Sequence, residues 1–402
     1  MSAIRPGLSV VHRTLPARTR GLVRCDVAGV IGVVVKERWP DGATLGDFLH
    51  LVLRRSTDLL DHPRRTLFDQ ATQNAVRAYF ANGGQVLHVY GVCAESITDI
   101  AAPDADTGVL SDMLHALRVE EDIALLAVPC AASFPTELQE GRVVSASEPL
   151  YELLLRHCRQ MNNRFLVMDA PRGVHGEALA VWLERFRRRE PNTRSYGAVY
   201  YPWLYRGRQA LPPSGPMLGV FSRMEREHEP YGVAWPPANT VLRGVTHAET
   251  ELDWVDAGPV NDAGANPLVV QPGKGILVFG ARTLSMDPRW RAINSRRVVS
   301  MISEQLRRDS QWVVFEHNEP ATWSVLERNV KARLDQFWEG GMLTGPSAGK
   351  DYLVRCDDET NPVAERDAGR MHVQVALRPV TTTEHITIEL RLGEGGVTTE
   401  VA

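Results

Sequence analysis

The chain has 402 residues, with 45 Lys and Arg against 49 Asp and Glu and a formal charge of −4. Hydrophobic residues make up 44 %, enough for two or three domains with a sizeable core. The near balance of charge excludes a bulk cationic nucleic-acid binder, and without a run of about 18 apolar residues no membrane-spanning helix is expected.

Cys25, Cys93, Cys130, Cys158 and Cys356 are odd in number and scattered, with no CxxC. Neither a zinc ribbon nor a disulfide framework is expected, and synthesis in a reducing cytoplasm is the simplest reading. The opening MSAIRPGLSV lacks an apolar signal core, so export through a signal peptide is not expected.

Residues 1–20 hold Pro6, Gly7, Pro16 and four arginines around one β-prone run, Leu8, Ser9, Val10 and Val11. That is too little apolar surface for a packed element. The segment reads either as a frayed terminus or as an arm that adds a strand to a neighbour. Val27 to Val35 is a buried strand, Leu45 to Leu60 reads as helical, and Gln70 to Asn82 is an amphipathic helix ended by Gly83-Gly84.

Strands follow at Gln85 to Val92, Ile123 to Val128, Arg164 to Met168 and Tyr196 to Tyr201, with helices at Asp112 to Leu117, Glu148 to Met161 and Gly176 to Arg188. This alternation predicts an α/β domain with a mainly parallel sheet over residues 21–255. Residues 204–255 are rich in Pro and Gly and read as a long structured loop region. DAGPVNDAGANP, at 255–266, is the expected domain boundary.

Residues 256–383 form the expected α+β C-terminal core. Ile276 to Phe279 reads as a buried strand. Asp287-Pro288 opens a helix, with an N-cap acceptor followed by proline at the first helical position. Trp290, Ile293, Val298, Met301, Ile302 and Leu306 give it one apolar face, and Arg289, Arg291, Arg296, Arg297, Arg307 and Arg308 a cationic one. Trp312 to Phe315 reads as a second strand. Pro320 to Glu339 is a helix with Trp323, Leu326, Val330, Leu334 and Phe337 inward, so Trp290 and Trp323 are expected in the core. Strands at Tyr352 to Arg355 and Arg370 to Arg378 follow. In residues 384–402, Ile386, Ile388 and Leu390 share one face of a last strand, and the tail beyond Gly393 is expected to be disordered.

Chemical motifs are weak. GPSAGKD, at 345–351, is one residue short of a Walker A loop and carries Asp351 where magnesium needs a hydroxyl. Asp169, Arg172 and His175 lie just beyond a strand end, where α/β sheets bind ligands. An α/β enzyme with a site around Asp169–His175 is therefore the rival reading, although no nucleophile elbow or second acid accompanies it. No histidine spacing suggests a metal, and no cofactor is expected.

The wording of the chain resembles contractile tail sheath proteins, the family of phage tail sheaths, R-type pyocin sheaths and extracellular contractile injection system sheaths. The resemblance is carried by GARTLS, DPRW and QWVVFEHNEP in the C-terminal core, and by PGLSVV, YFANGGQVLHVY, LLAVPC, DAPRG, YYPW, PPSG, PPAN and RGV before it. Phe279 stands where the family usually has Trp before Gly-Ala-Arg-Thr, and Cys130 where it usually has Gly.

The resemblance implies a structural protein: hexameric rings stacked around an inner tube, bounded by baseplate and terminator or cap proteins, contracting to drive the tube through an envelope. It implies assembly in the cytoplasm and then a phage tail or released particle, with no nucleic acid and no membrane insertion. It also implies that terminal strands, here Leu8 to Val11 or Ile386 to Leu390, exchange between copies. A C-terminal helix would face the tube, which makes Arg296, Arg297, Arg328, Lys331 and Arg333 the candidate tube-facing charges.

Overall fold

The computed structural model describes residues 21–39, 43–96, 99–100, 108–139, 142–344, 351–380, 386–393 and 396–401. The run Leu8 to Val11 and the GPSAGK segment at 345–350 lie outside the described residues. The first elements are β1 (Ala28–Val35), β2 (Phe48–Leu53), α1 (Ser56–Leu60), α2 (Gln70–Ala81), β3 (Leu87–Ala94), α3 (Ser111–Val119), β4 (Leu125–Ala127) and the hairpin β5 (Thr136–Gln139) with β6 (Arg142–Ser145). Then come α4 (Glu148–Met161), β7 (Phe165–Asp169), α5 (Gly176–Arg188), β8 (Gly197–Tyr201), β9 (Leu204–Arg206), β10 (Gln209–Leu211), α6 (Ser214–Glu227), β11 (His247–Ala248) and α7 (Trp254–Ala263). The chain finishes with β12 (Ala265–Gln271), β13 (Gly275–Val278), α8 (Ile293–Asp309), α9 (Pro320–Glu339), β14 (Tyr352–Arg355), β15 (Met371–Leu377), β16 (Ile386–Gly393) and β17 (Gly396–Val401).

An eight-stranded sheet in the order β13-β12-β8-β7-β4-β1-β3-β2 organises the first part. Its six inner strands are parallel, and β13 and β2 are antiparallel edges. Helices cover both faces, which is why the inner strands read as continuous apolar runs. Leu114, Leu154, Trp182 and Phe186 of α3, α4 and α5 pack on one face. Val76, Tyr79, Leu218 and Phe221 of α2 and α6 pack on the other. α2 lies so close that a Cβ on Gly32 of β1 would fall 2.3 Å from Thr72 Oγ1, so only glycine fits there.

The second layer is the antiparallel sheet β14-β15-β16-β17. β15 alternates buried and half-buried positions, the signature of a sheet covered on one face. Val298, Ile302 and Leu306 of α8 and Trp323, Leu326, Val330 and Phe337 of α9 share a core with Val373, Val375, Ile388 and Leu390. The strap at residues 21–27 joins this layer before entering β1: Val23 and Cys25 belong to the same core, and Val23 N donates to Gln305 Oε1 at 2.9 Å.

Several expectations are corrected. Within Leu45 to Leu60, Phe48–Leu53 is an edge strand and only Ser56–Leu60 is helical. The run is apolar in a pattern that suits either state, and the free edge of β3 takes it up as a strand. Residues 204–255 hold α6, three short strands and the first residues of α7, not a loop. Trp312 to Phe315 is no strand: Gln311–Val313 is a 3-10 turn linking α8 to α9, and Phe315 is 97 % exposed at φ 75°. The segment beyond Gly393 is not disordered throughout, because Gly396–Val401 is β17, paired along β16, with Val397 buried.

The boundary expected at 255–266 is occupied by α7 and the start of β12, and β12 and β13 belong to the large sheet. The helix expected from Asp287 begins in earnest at Ile293. Asp287 caps a separate 3-10 turn, Pro288–Trp290, by accepting from Arg289 N.

Candidate functional site

The polar side chains of the Asp169–His175 stretch are each tied to partners within the fold. Asp169, at the end of β7, is fully buried and accepts from Ser214 N and Ser214 Oγ, both at 2.6 Å, so it anchors the first turn of α6. Burial pushes its carboxyl up to about 7, with the two bonds from Ser214 pulling the other way. Arg172 lies half-exposed, 5.3 Å over the Trp203 ring, with its Nε 3.6 Å from Glu249. His175 Nδ1 meets Tyr201 Oη at 2.9 Å and Thr250 Oγ1 at 3.3 Å. The three side chains turn to separate partners.

The candidate tube-facing charges divide. Arg296 and Arg297 are 2 % and 6 % exposed, so neither projects from a free face of this chain. The Arg296 guanidinium lies 4.4 Å from the Tyr196 ring and 4.1 Å from the Trp290 ring. Arg297 Nη2 donates to Cys25 O at 2.7 Å and stands 3.8 Å from Glu225 Oε2. The reason is position: α8 lies between the large sheet's helices and the C-terminal sheet, so its polar side is enclosed as well. Arg307 and Arg308 pair with Glu304 of the same helix, and with Glu121. On α9, Arg333 donates to Asp309 at 2.6 Å and is mostly covered. Arg328 and Lys331 are exposed, and Lys331 pairs with Glu327.

Trp290 and Trp323 are 9 % and 2 % exposed. Ile386, Ile388 and Leu390 sit on β16 opposite Leu377, Val375 and Val373 of the same chain. β14 and β17 are the two edges of that sheet.

Sequence spacing gave no warning of a histidine pair at the β2 edge. His50 Nε2 and His88 Nδ1 are 3.0 Å apart, and the His50 ring stacks on Tyr90 at 4.4 Å. Burial holds both histidines below their usual range, and His50 further disfavours charge on His88. Glu120 opposes this at both rings; at His88, Asp122 opposes it too and Arg164 adds to it. Because the folded values are lowered, the pair's stabilisation is present above about pH 6.5 and is lost as pH falls below it. Measured against the His50→Gln/His88→Gln variant, the wild-type urea midpoint is expected to fall between pH 7.5 and 5.5, while Asp169 and Glu225, both raised to about 7, shift the two proteins alike in the opposite sense. Equal slopes would show that the pair does not report pH.

A family model described as "Phage tail sheath C-terminal domain" matches residues 285–393, the stretch that holds α8, α9 and the C-terminal sheet. Over residues 285–393 the chain is similar to that domain. The tail sheath protein of Vibrio phage KVP40 is 21 % identical over 180 residues, 44 % of this chain and 26 % of that protein. A putative prophage major tail sheath protein of Pseudomonas aeruginosa (strain UCBPP-PA14) is 19 % identical over 223 residues, 54 % of this chain and 55 % of that one. The matches thus span about a quarter to about half of these curated relatives. The sheath of an extracellular contractile injection system, solved as the PVC sheath complex in its contracted state, shares the fold. Its TM-score is 0.68 at 21 % identity, over 95 % of this chain and 96 % of that one.

Proposed function

We propose that this chain is the sheath subunit of a contractile tail or injection particle. The observation that carries the reading is the fold shared with a contracted sheath subunit along 95 % of the chain, together with the match to a tail sheath C-terminal domain at 285–393. Subunits stack as hexameric rings around an inner tube, between a baseplate and a cap. The energy of contraction resides in subunit contacts, a rigid-body transition of a bistable assembly, with no nucleotide consumed and no catalytic site. The α/β layer on the large sheet and the α+β layer of α8, α9 and β14–β17 are its two working units.

On this reading the outer side of α9, with exposed Arg328 and Lys331, faces the tube, where charge complementarity guides register more than it adds affinity. Assembly takes place in the cytoplasm, and the finished particle is a tail or is released. A terminal strand of a second copy adds to the β14–β17 sheet at β14 or β17, its two edges among the described residues.

Negative-stain microscopy of the purified protein is expected to show cogwheel rings or tubes. Deleting residues 1–15 should leave a folded subunit that forms no extended sheath. A wild-type protein that stays a compact particle at every concentration and salt would overturn the sheath reading. Normal assembly of the deletion would overturn the strand exchange alone.

A further inference from the structure

A cavity of about 180 Å³ opens where the end of α5, the end of α7 and the segment after β13 meet. Three guanidinium groups line it: Arg187, Arg282 and Arg291. Arg282 and Arg291 are brought together by the antiparallel bridge between Arg282 and Ala292. Arg187 is half-buried and donates to three carbonyls, Ala263 O at 2.7 Å, Leu284 O at 3.0 Å and Ser285 O at 3.2 Å. Arg282 donates to Asn261 O at 2.9 Å and to Asp262 Oδ1 at 3.1 Å, and that carboxylate is 81 % exposed. Arg291 is exposed, and among the described residues no carboxylate pairs with it.

The charge balance at the cavity is therefore three cations against one solvated carboxylate. Like charges held this close raise the energy of the empty site. Arg187 registers it, since burial and then Arg291 and Arg282 hold its pKa below the usual guanidinium range. The carbonyls at the end of α7, which would repel an anion, are already taken up by Arg187 and Arg282. The volume lies below the roughly 300 Å³ at which drug-sized pockets begin, but holds about six waters' worth of space.

We propose that this cavity binds one inorganic phosphate ion, its oxygens accepting from Arg282 and Arg291. Charge-assisted bonds to guanidinium are the strong kind, and the planar guanidinium donors match phosphate oxygens in geometry.

The test uses the full chain in a phosphate-free buffer, titrated with sodium phosphate against sodium sulfate and sodium chloride at matched ionic strength. Phosphate is expected to broaden its own ³¹P resonance and to raise Tm, with the rise growing as the logarithm of concentration above Kd. Arg291→Gln should weaken phosphate binding about tenfold, without loss of fold because the side chain is exposed. Arg291→Glu supplies the missing negative charge itself, so it should raise Tm in the absence of phosphate and abolish the phosphate response. Equal responses to phosphate, sulfate and chloride, or a phosphate response unchanged in both variants, would overturn the proposal.

Discussion

Replacing Trp323 by alanine is expected to lower the unfolding free energy by about 3–5 kcal/mol. The indole is 2 % exposed, in the core shared by α8, α9 and the C-terminal sheet. Its Nε1 donates to Asn318 Oδ1 at 2.8 Å, and Asn318 Nδ2 in turn donates to Arg370 O at 2.8 Å. Truncation therefore leaves a large cavity and also loosens the tie from the start of α9 to the start of β15. The Arg366 guanidinium, 5.6 Å from the ring, loses its cation–π partner as well. Trp323→Phe keeps most of the volume and should cost about half as much. Trp290, at 9 % exposed, should cost less than Trp323 when truncated. Urea unfolding provides the measurement. A Trp323→Ala loss under about 1 kcal/mol would mean that the ring is not a core element.

The second large effect is expected at Glu148, where α4 begins. This carboxylate is 3 % exposed and collects four donors. Trp182 Nε1 approaches at 2.9 Å, Ser145 N and Arg189 Nη1 each at 3.2 Å, and Arg185 donates more closely still. It thus joins β6, α4 and α5 across one face of the large sheet. Removing one partner of a buried charge pair costs about 3–5 kcal/mol because the other is left uncompensated. Arg189 is half-exposed and Arg185 a quarter exposed, so water can recover part of the loss. Glu148→Ala should fall near the lower end, about 3 kcal/mol. Glu148→Gln keeps an acceptor for Trp182 and should cost less. If alanine and glutamine variants unfold at the same urea midpoint as the wild type, the cluster is a solvated surface feature and not an anchor.

Much of the fold was legible because amphipathic spacing is a local property. Glu148–Met161, Gly176–Arg188 and Pro320–Glu339 have the bounds that their apolar periodicity predicts. α6 was hidden for a physical reason. Gly215, Pro216 and Gly219 read as loop punctuation, yet a Cβ on Gly219 would lie 2.3 Å from Tyr79 O. The glycine lets α6 approach α2, so what resembles a helix breaker is a packing requirement. At the proposed phosphate site, Arg187, Arg282 and Arg291 come from separate segments, and no spacing rule joins them.

The amino-acid sequence by itself determined where the chain can turn, which runs must be buried, and which helices have an apolar face. Those follow from backbone preference and period, which act over a few residues. Only the tertiary structure decided where each polar face points. Arg296 and Arg297 have the helical spacing of a solvated cationic stripe, but α8 is enclosed on that side. Its partners there are Tyr196, Glu225 and the Cys25 carbonyl, the last 272 residues away in sequence. Likewise, Phe48–Leu53 became a strand because β3 had a free edge, and Gly396–Val401 because β16 did. A hydrogen-bonding edge is supplied by distant chain, and local pattern carries no information about it.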